Sequence, residues 1–416
     1  MRNSLYLYNT LTGKKELFKP RRDKEVKMFT CGPSIYARPH VGNYRSFLYE
    51  DVLQRYLEYL GYNVQRLINF TDVEDKAIVK AREKNLTREK LITPNAEQFM
   101  TDAAALKIKL PPHIARSSTS VDQAVHLIER LIEKGYAYRH KGDVFFDPLK
   151  FKGFGRLFGL DMGRWPKEKR RFRRDTYTGM RWNLGDFILW HDDKSRGNEG
   201  FSWDTAIGRG RPAWNIQDAA MITKHLGCEI DICCGGVDNL YRHHDYTLAI
   251  MDSLLGREFA HYWLHGEHVI VNGAKMSKSK GNIVYLQELL KQGFSAEHVR
   301  FFLVREHYRK KLDLTGDRLR EAAGRIDSIR SMTQEIRNCR KTKGGADTTA
   351  TPDKLTNAFE RKMNDDLDVK GAVDEIESRL AGFVALTRAH KVGRDACEKV
   401  LGNLKRIDQV LQVLLV

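Results

Sequence analysis

Cysteine is scarce in this chain and irregularly placed: six residues among 416, at 31, 228, 233, 234, 339 and 397. That spacing excludes the disulfide framework of a secreted mini-domain. Cys228, Cys233 and Cys234 lie close together but not in a Cys-x-x-Cys arrangement, so the trio is a poor metal knuckle. No apolar run reaches the roughly 18 residues that a membrane span needs. Residues 1–14 are polar, without the apolar stretch of a signal peptide. A cytoplasmic protein with no membrane partner is therefore expected. No internal repeat is present, which excludes a solenoid. Acidic residues are the minority, 54 against 71 Lys and Arg, leaving a net charge of +17. A charge of that size suits a polyanion such as RNA, although charge alone reads no sequence.

What is present is an ordinary globular composition, 41% hydrophobic, in a chain long enough for two or three domains. Residues 25–32 read as a strand that ends at Gly32. Phe47, Leu48, Val52, Leu53, Tyr56, Leu57 and Leu60 then recur at helical spacing, and Gly61 stops the helix. Residues 64–70 read as a second strand. Thr71-Asp-Val-Glu74 has the spacing of a capping box and predicts a new helix there. This alternation predicts an α/β fold with a doubly wound parallel sheet. Further strands are expected near 229–232 and 268–271, carrying the same sheet on. The basic run 163–174 reads either as a solvated loop or as an RNA-facing insertion. From about residue 317 the pattern turns helical, with 341–353 as a linker and two or three helices over 354–416.

Two motifs carry chemistry. His40-Val41-Gly42-Asn43 falls between the first strand and the long helix. A helix N-terminus offers free N–H groups and a positive dipole end, which suits phosphate. Gly42 lets a nucleotide approach the backbone, and His40 can hydrogen-bond a phosphate oxygen. The second is Lys275-Met276-Ser277-Lys278-Ser-Lys-Gly-Asn282, after a strand and Gly273. Two lysines on such a loop suit the β- and γ-phosphates of ATP, stabilising charge on the departing pyrophosphate. The motifs stand 235 residues apart (275 minus 40).

Together they resemble the two signatures of class I aminoacyl-tRNA synthetases. The flanking strings are similar to the cysteinyl-tRNA synthetase family. They are Phe29-Thr-Cys-Gly-Pro-Ser-Ile-Tyr36, Thr71-Asp-Val-Glu-Asp-Lys76, Leu131-Ile-Glu-Lys-Gly-Tyr-Ala-Tyr138, Gly210-Arg-Pro212, Cys234-Gly-Gly-Val-Asp238, His243-His244 and Arg361-Lys-Met-Asn-Asp-Asp-Leu-Asp368. The resemblance implies a Rossmann-like catalytic domain over 1–315, with a connective insertion at about 115–215. It implies a helical bundle domain over 316–416; the small anticodon-recognition domain that usually follows in the family is not evident here, which puts anticodon readout in question. It implies ATP with Mg²⁺ as cofactors, an amino acid and tRNA as partners, and a monomer. His40, Asn43, Lys275 and Lys278 become the catalytic residues. Gly32, Gly42, Gly235, Gly236, Asp238, Met276 and Ser277 complete the ATP site.

The resemblance also implies a zinc ion that grips the substrate thiol through two cysteines, a histidine and a glutamate. Cys31 and His243 match two of these ligands. Asp218 stands where the second cysteine is expected, and Thr247 where the glutamate is. With this set, zinc is expected to be bound weakly or not at all. Cys233 and Cys234 read as small buried residues, and Trp214 as a wall of the amino-acid pocket. The altered ligands leave two alternatives open. One is an ATP-dependent carboxylate–amine ligase that uses no tRNA, similar to the cysteine–amino-sugar ligase of mycothiol synthesis. The other is a non-catalytic RNA-binding paralogue.

Overall fold

The computed structural model describes residues 4–160, 186–193, 201–277, 280–339 and 352–415. At its centre five strands lie in the order Ala260–Gly266, Ile230–Gly236, Glu25–Thr30, Asn63–Phe70 and Ala115–Arg116. Every neighbouring pair is parallel. A parallel sheet covered on both faces needs apolar residues on both, and all seven residues of Ile230–Gly236 are buried. The chain enters at Glu25–Thr30, winds outward to Asn63–Phe70, and later resumes on the other side at Ile230–Gly236. The winding direction therefore reverses between Glu25–Thr30 and Ile230–Gly236. Doubly wound sheets bind their ligands beyond the carboxyl ends of the strands at that reversal.

The helix Val41–Tyr59 returns the chain from the first strand to the second and buries Phe47, Leu48, Val52, Leu53, Tyr56 and Leu57. Its end is a Schellman turn. Gly61 takes a φ of +91°, its N–H donates to the Glu58 carbonyl at 2.9 Å, and the Tyr62 N–H donates to the Leu57 carbonyl at 3.0 Å.

Two local expectations change. The helix predicted from Thr71 begins at Asp75, with Glu74 at its N-cap. Thr71 is occupied otherwise: its main chain bridges Ser34 and extends the ladder past the sheet. The strand near 268–271 forms, as Val269–Val271, but in a separate three-stranded sheet with Ala274–Lys275 and Leu312–Leu314. The fifth position in the parallel sheet belongs to Ala260–Gly266.

Between Ala115–Arg116 and Ile230–Gly236 lies an antiparallel sheet of Ala137–His140, Asp143–Phe146, Phe187–Asp192 and Gly210–Pro212. The basic run 163–174 lies outside the described residues. Beyond the small sheet the described chain is helical: Gly316–Cys339, Pro352–Met363, Val369–Arg388 and Arg394–Leu411. The expected linker lies outside the described residues except for its last two, which open Pro352–Met363. Arg300 joins these helices to the sheet layer. Fully buried, it pairs with Asp51 at 2.5 Å and donates to the carbonyls of Leu411 and Leu106, each at 2.8 Å. Among the described residues, no helix is long and apolar enough to cross a membrane.

The helix Ala296–Arg305 starts from a reciprocal cap. The His298 N–H donates to Ser295 Oγ at 3.1 Å, and the Ser295 N–H to His298 Nδ1 at 3.2 Å. Ser295→Ala is expected to cost about 1 kcal/mol. Denaturant unfolding checks this, as a lower midpoint at unchanged slope.

Candidate active site

The carboxyl ends of the two central strands meet where the Cys31 N–H donates to the Cys234 carbonyl at 3.1 Å. Gly32 follows, its N–H donating to Asn69 Oδ1 at 2.7 Å. The loop then reaches His40, extended at the N-cap of Val41–Tyr59. The His40 N–H donates to Asn43 Oδ1 at 2.9 Å, so the Asn43 side chain serves the cap of the helix as well as facing the pocket.

A pocket of about 630 Å³ opens here. Cys31, Gly32, His40, Gly42 and Asn43 line it from the first strand and helix. Gly236 and Asp238 line it from the second half of the sheet, and Lys275, Met276 and Ser277 from the far motif. Residues 235 positions apart in the chain (275 minus 40) thus face one cavity. Asn282 shapes the Lys275 loop from within: its Oδ1 accepts from the Ser277 N–H at 2.9 Å, and its Nδ2 donates to the Lys275 carbonyl at 3.2 Å. Lys278 lies outside the described residues. Gly235 is buried in its strand, with its carbonyl accepting from Tyr49 Oη at 2.8 Å.

Behind Cys31 stands a compact polar group. His243 Nε2 is 2.8 Å from Asp218 Oδ2 and 3.2 Å from Cys31 Sγ, and Cys31 Sγ is 3.7 Å from the same carboxylate oxygen. Asp218 is 1% exposed and uses its other oxygen to accept from Asn69 Nδ2 at 3.1 Å. Asn69 therefore links the backbone of Gly32 to Asp218. Trp214, first residue of the helix Trp214–His225, stacks on His243 with ring centroids 4.4 Å apart. Burial pushes the Cys31 thiol well above its ordinary pKa, and Asp218 and Cys233 add to the shift. Without a neighbouring cation, Cys31 is a neutral thiol. Thr247 stands apart: its hydroxyl donates to the His243 carbonyl at 3.1 Å. Cys233 and Cys234 are fully buried in the strand and pack into the cores on its two faces.

The family model described as the class I (C) tRNA synthetase catalytic domain matches residues 17–324. The cysteine–tRNA ligase of Chlamydia muridarum is 34% identical over 99% of this chain and 88% of its own length. The chain belongs to the cysteine–tRNA ligase family of class I synthetases. A second relative agrees over part of the chain: the cysteine–tRNA ligase of Pyrococcus horikoshii is 41% identical over 77% of this chain and 65% of its own. The fold extends further than the sequence likeness. A methionyl-tRNA synthetase of Mycobacterium tuberculosis, solved with methionyl-adenylate, superposes with a TM-score of 0.64 at 15% identity, covering 94% of this chain and 90% of that one.

Sequence reasoning passed over several residues of this synthetase site. Asn69 was hidden because a lone asparagine in a strand gives no signal. Arg38 and Lys76 also line the pocket, and Arg38 lies 4.4 Å over the ring of Tyr285. His244, taken only as part of a matching string, brings a ring nitrogen to the group of Cys31, Asp218 and His243. It is fully buried, and burial together with His265 and His243 pushes its pKa well below the usual histidine value.

Proposed function

We propose that the protein uses ATP to activate an amino acid, cysteine, as its aminoacyl-adenylate, and passes the aminoacyl group to tRNA. One observation carries the reading. The two motifs converge on one pocket at the switch point of the sheet, lined also by Cys31, whose Sγ contacts His243 Nε2 behind it. The names of its relatives supply the substrates.

In this reading the phosphates of ATP lie against the N-terminus of Val41–Tyr59, where the helix dipole favours negative charge. His40 and Gly42 hold the α-phosphate region, and Asn43 fixes the cap that presents them. Asp238 holds the ribose or adenine edge. The amino-acid carboxylate attacks the α-phosphate in line, and charge grows on the departing pyrophosphate. Lys275, with Lys278 of the same motif, stabilises that charge, to which Mg²⁺ carried on the nucleotide would add. Catalysis is positioning and electrostatics, with no covalent step on the protein. Trp214 walls the amino-acid end beside Asp218. The donors there, one sulfur, one carboxylate and imidazole nitrogen, suit a divalent ion held by Cys31, Asp218 and His243. A zinc ion so bound would supply a grip on a thiol that a hydroxyl does not match.

Transfer requires tRNA, and the net charge of +17 supplies the general attraction. Binding is expected to weaken steeply with salt, with a slope of about −0.7 to −0.9 in log K per log salt for each phosphate neutralised. Filter binding across a salt series measures it; an affinity independent of salt would contradict the expectation. Charging of tRNA with labelled cysteine tests the full reading. Adenylate that forms and is never passed to tRNA would remove the second half.

A further inference from the structure

The relatives' resemblance counts ligands at four positions and finds two of them replaced. The folded chain offers a different count. We propose that His244 supplies the fourth donor of a divalent-metal site with Cys31, Asp218 and His243, in place of the carboxylate missing at Thr247. The inference goes beyond the adenylation reading and is measured without it.

Five observations carry it. One ligand atom from each of the four residues lies within 4.8 Å of the others, and all four residues are buried. Three of them are already in mutual contact through His243 Nε2, Asp218 Oδ2 and Cys31 Sγ. His244 Nδ1 is engaged at 2.9 Å with His265 Nε2, and His265 Nδ1 at 2.9 Å with Thr10 Oγ1. Metal-bound histidines characteristically donate their second ring N–H to an acceptor that fixes the ring, a place His265 Nε2 takes here. With His265 donating to Thr10 and accepting from His244, the His244 Nε2 is left with its lone pair. That nitrogen is buried and has no hydrogen-bond partner. The backbone also leaves room for the ring: a Cβ on Gly235 would stand 2.7 Å from His244 Cε1.

The charges close as well. A thiolate at Cys31 and a carboxylate at Asp218 give two negative charges, and the two imidazoles are neutral, so a dication is matched without a second carboxylate. Thr247 is left a backbone role, holding the His243 carbonyl at the start of the helix. Donors of this kind, two nitrogens, an oxygen and a sulfur, suit zinc or cobalt in tetrahedral geometry.

The test uses the untagged full chain and the metal alone. After dialysis against metal-free buffer, elemental analysis is expected to find about one zinc per chain, as a closed four-donor site should retain. Cobalt(II) in its place is expected to show a thiolate charge-transfer band and the intense visible bands of a tetrahedral ion. His244→Ala is expected to weaken binding roughly a hundredfold or more, and His265→Ala, which only orients the ligand, about 10- to 100-fold. Thr247→Ala leaves both affinity and spectrum unchanged. Asp218→Cys adds a thiolate and is expected to tighten zinc and intensify the charge-transfer band, which keeps the site testable should an alanine variant fail to fold. Protein that takes up neither ion when both are supplied overturns the proposal. So does a His244→Ala protein that folds and binds with wild-type affinity and spectrum.

Discussion

Lys275→Ala is expected to slow adenylate formation about a hundredfold, the equivalent of about 3 kcal/mol of lost transition-state stabilisation. The side chain is exposed at the end of the short strand Ala274–Lys275 and lines the pocket. Among the described residues it is the lysine of the far motif that lines the pocket. Its removal takes a positive charge from where pyrophosphate charge develops and leaves no cavity in the core. The unfolding midpoint is therefore expected to hold while the single-turnover rate falls. A rate within a factor of two of wild type would remove Lys275 from the assignment. Loss of rate together with loss of stability would point to the loop fold instead.

Gly32→Ala is expected to destabilise the protein by about 3 kcal/mol, at the upper end of overpacking costs, and to abolish adenylation. A Cβ at this position would overlap the main-chain carbonyl of Asn69, an atom of the neighbouring strand that no rotamer change can move. The chain can accept it only by parting Glu25–Thr30 from Asn63–Phe70 just beyond their last pairs. That movement also breaks the bond from the Gly32 N–H to Asn69 Oδ1, and through Asn69 it releases Asp218. Stability and activity should fall together here, in contrast to Lys275→Ala. A Gly32→Ala protein with a wild-type midpoint would show that the two strand ends are not held as tightly as the geometry requires.

The legible parts of this fold were those written in local chemistry. The helix after His40 announced itself through apolar residues at 47, 48, 52, 53, 56 and 57, all of which are buried, and its end through Gly61. The two motifs stood out as strings of glycine, histidine and lysine at strand-to-helix junctions, and residues of both line one cavity. What depended on distant partners was not. Thr71 has the spacing of a cap, but its main chain is claimed by Ser34, and a capping pattern cannot reveal a competing strand. Ala260–Gly266 gives no alternation, because six of its seven residues are buried and its aromatics and histidines face both layers. His244 was unreadable for a related reason. The backbone kinks at Tyr241 and Arg242, the latter with a φ of +68°, and this break decides where the two histidines stand against Cys31. No periodicity carries that information. The ligand count taken from matching positions is a count of aligned residues and could not include a ring nitrogen that stands near Cys31, Asp218 and His243 only in the fold.

The converging motifs are expected to form a working adenylation site for an amino acid. Amino-acid-dependent exchange of labelled pyrophosphate into ATP, run with each amino acid in turn, tests it most directly. Exchange is expected to be faster with cysteine than with any other amino acid, serine included, and to fall about a hundredfold with Lys275→Ala. Folded protein that supports no exchange with any amino acid would contradict it.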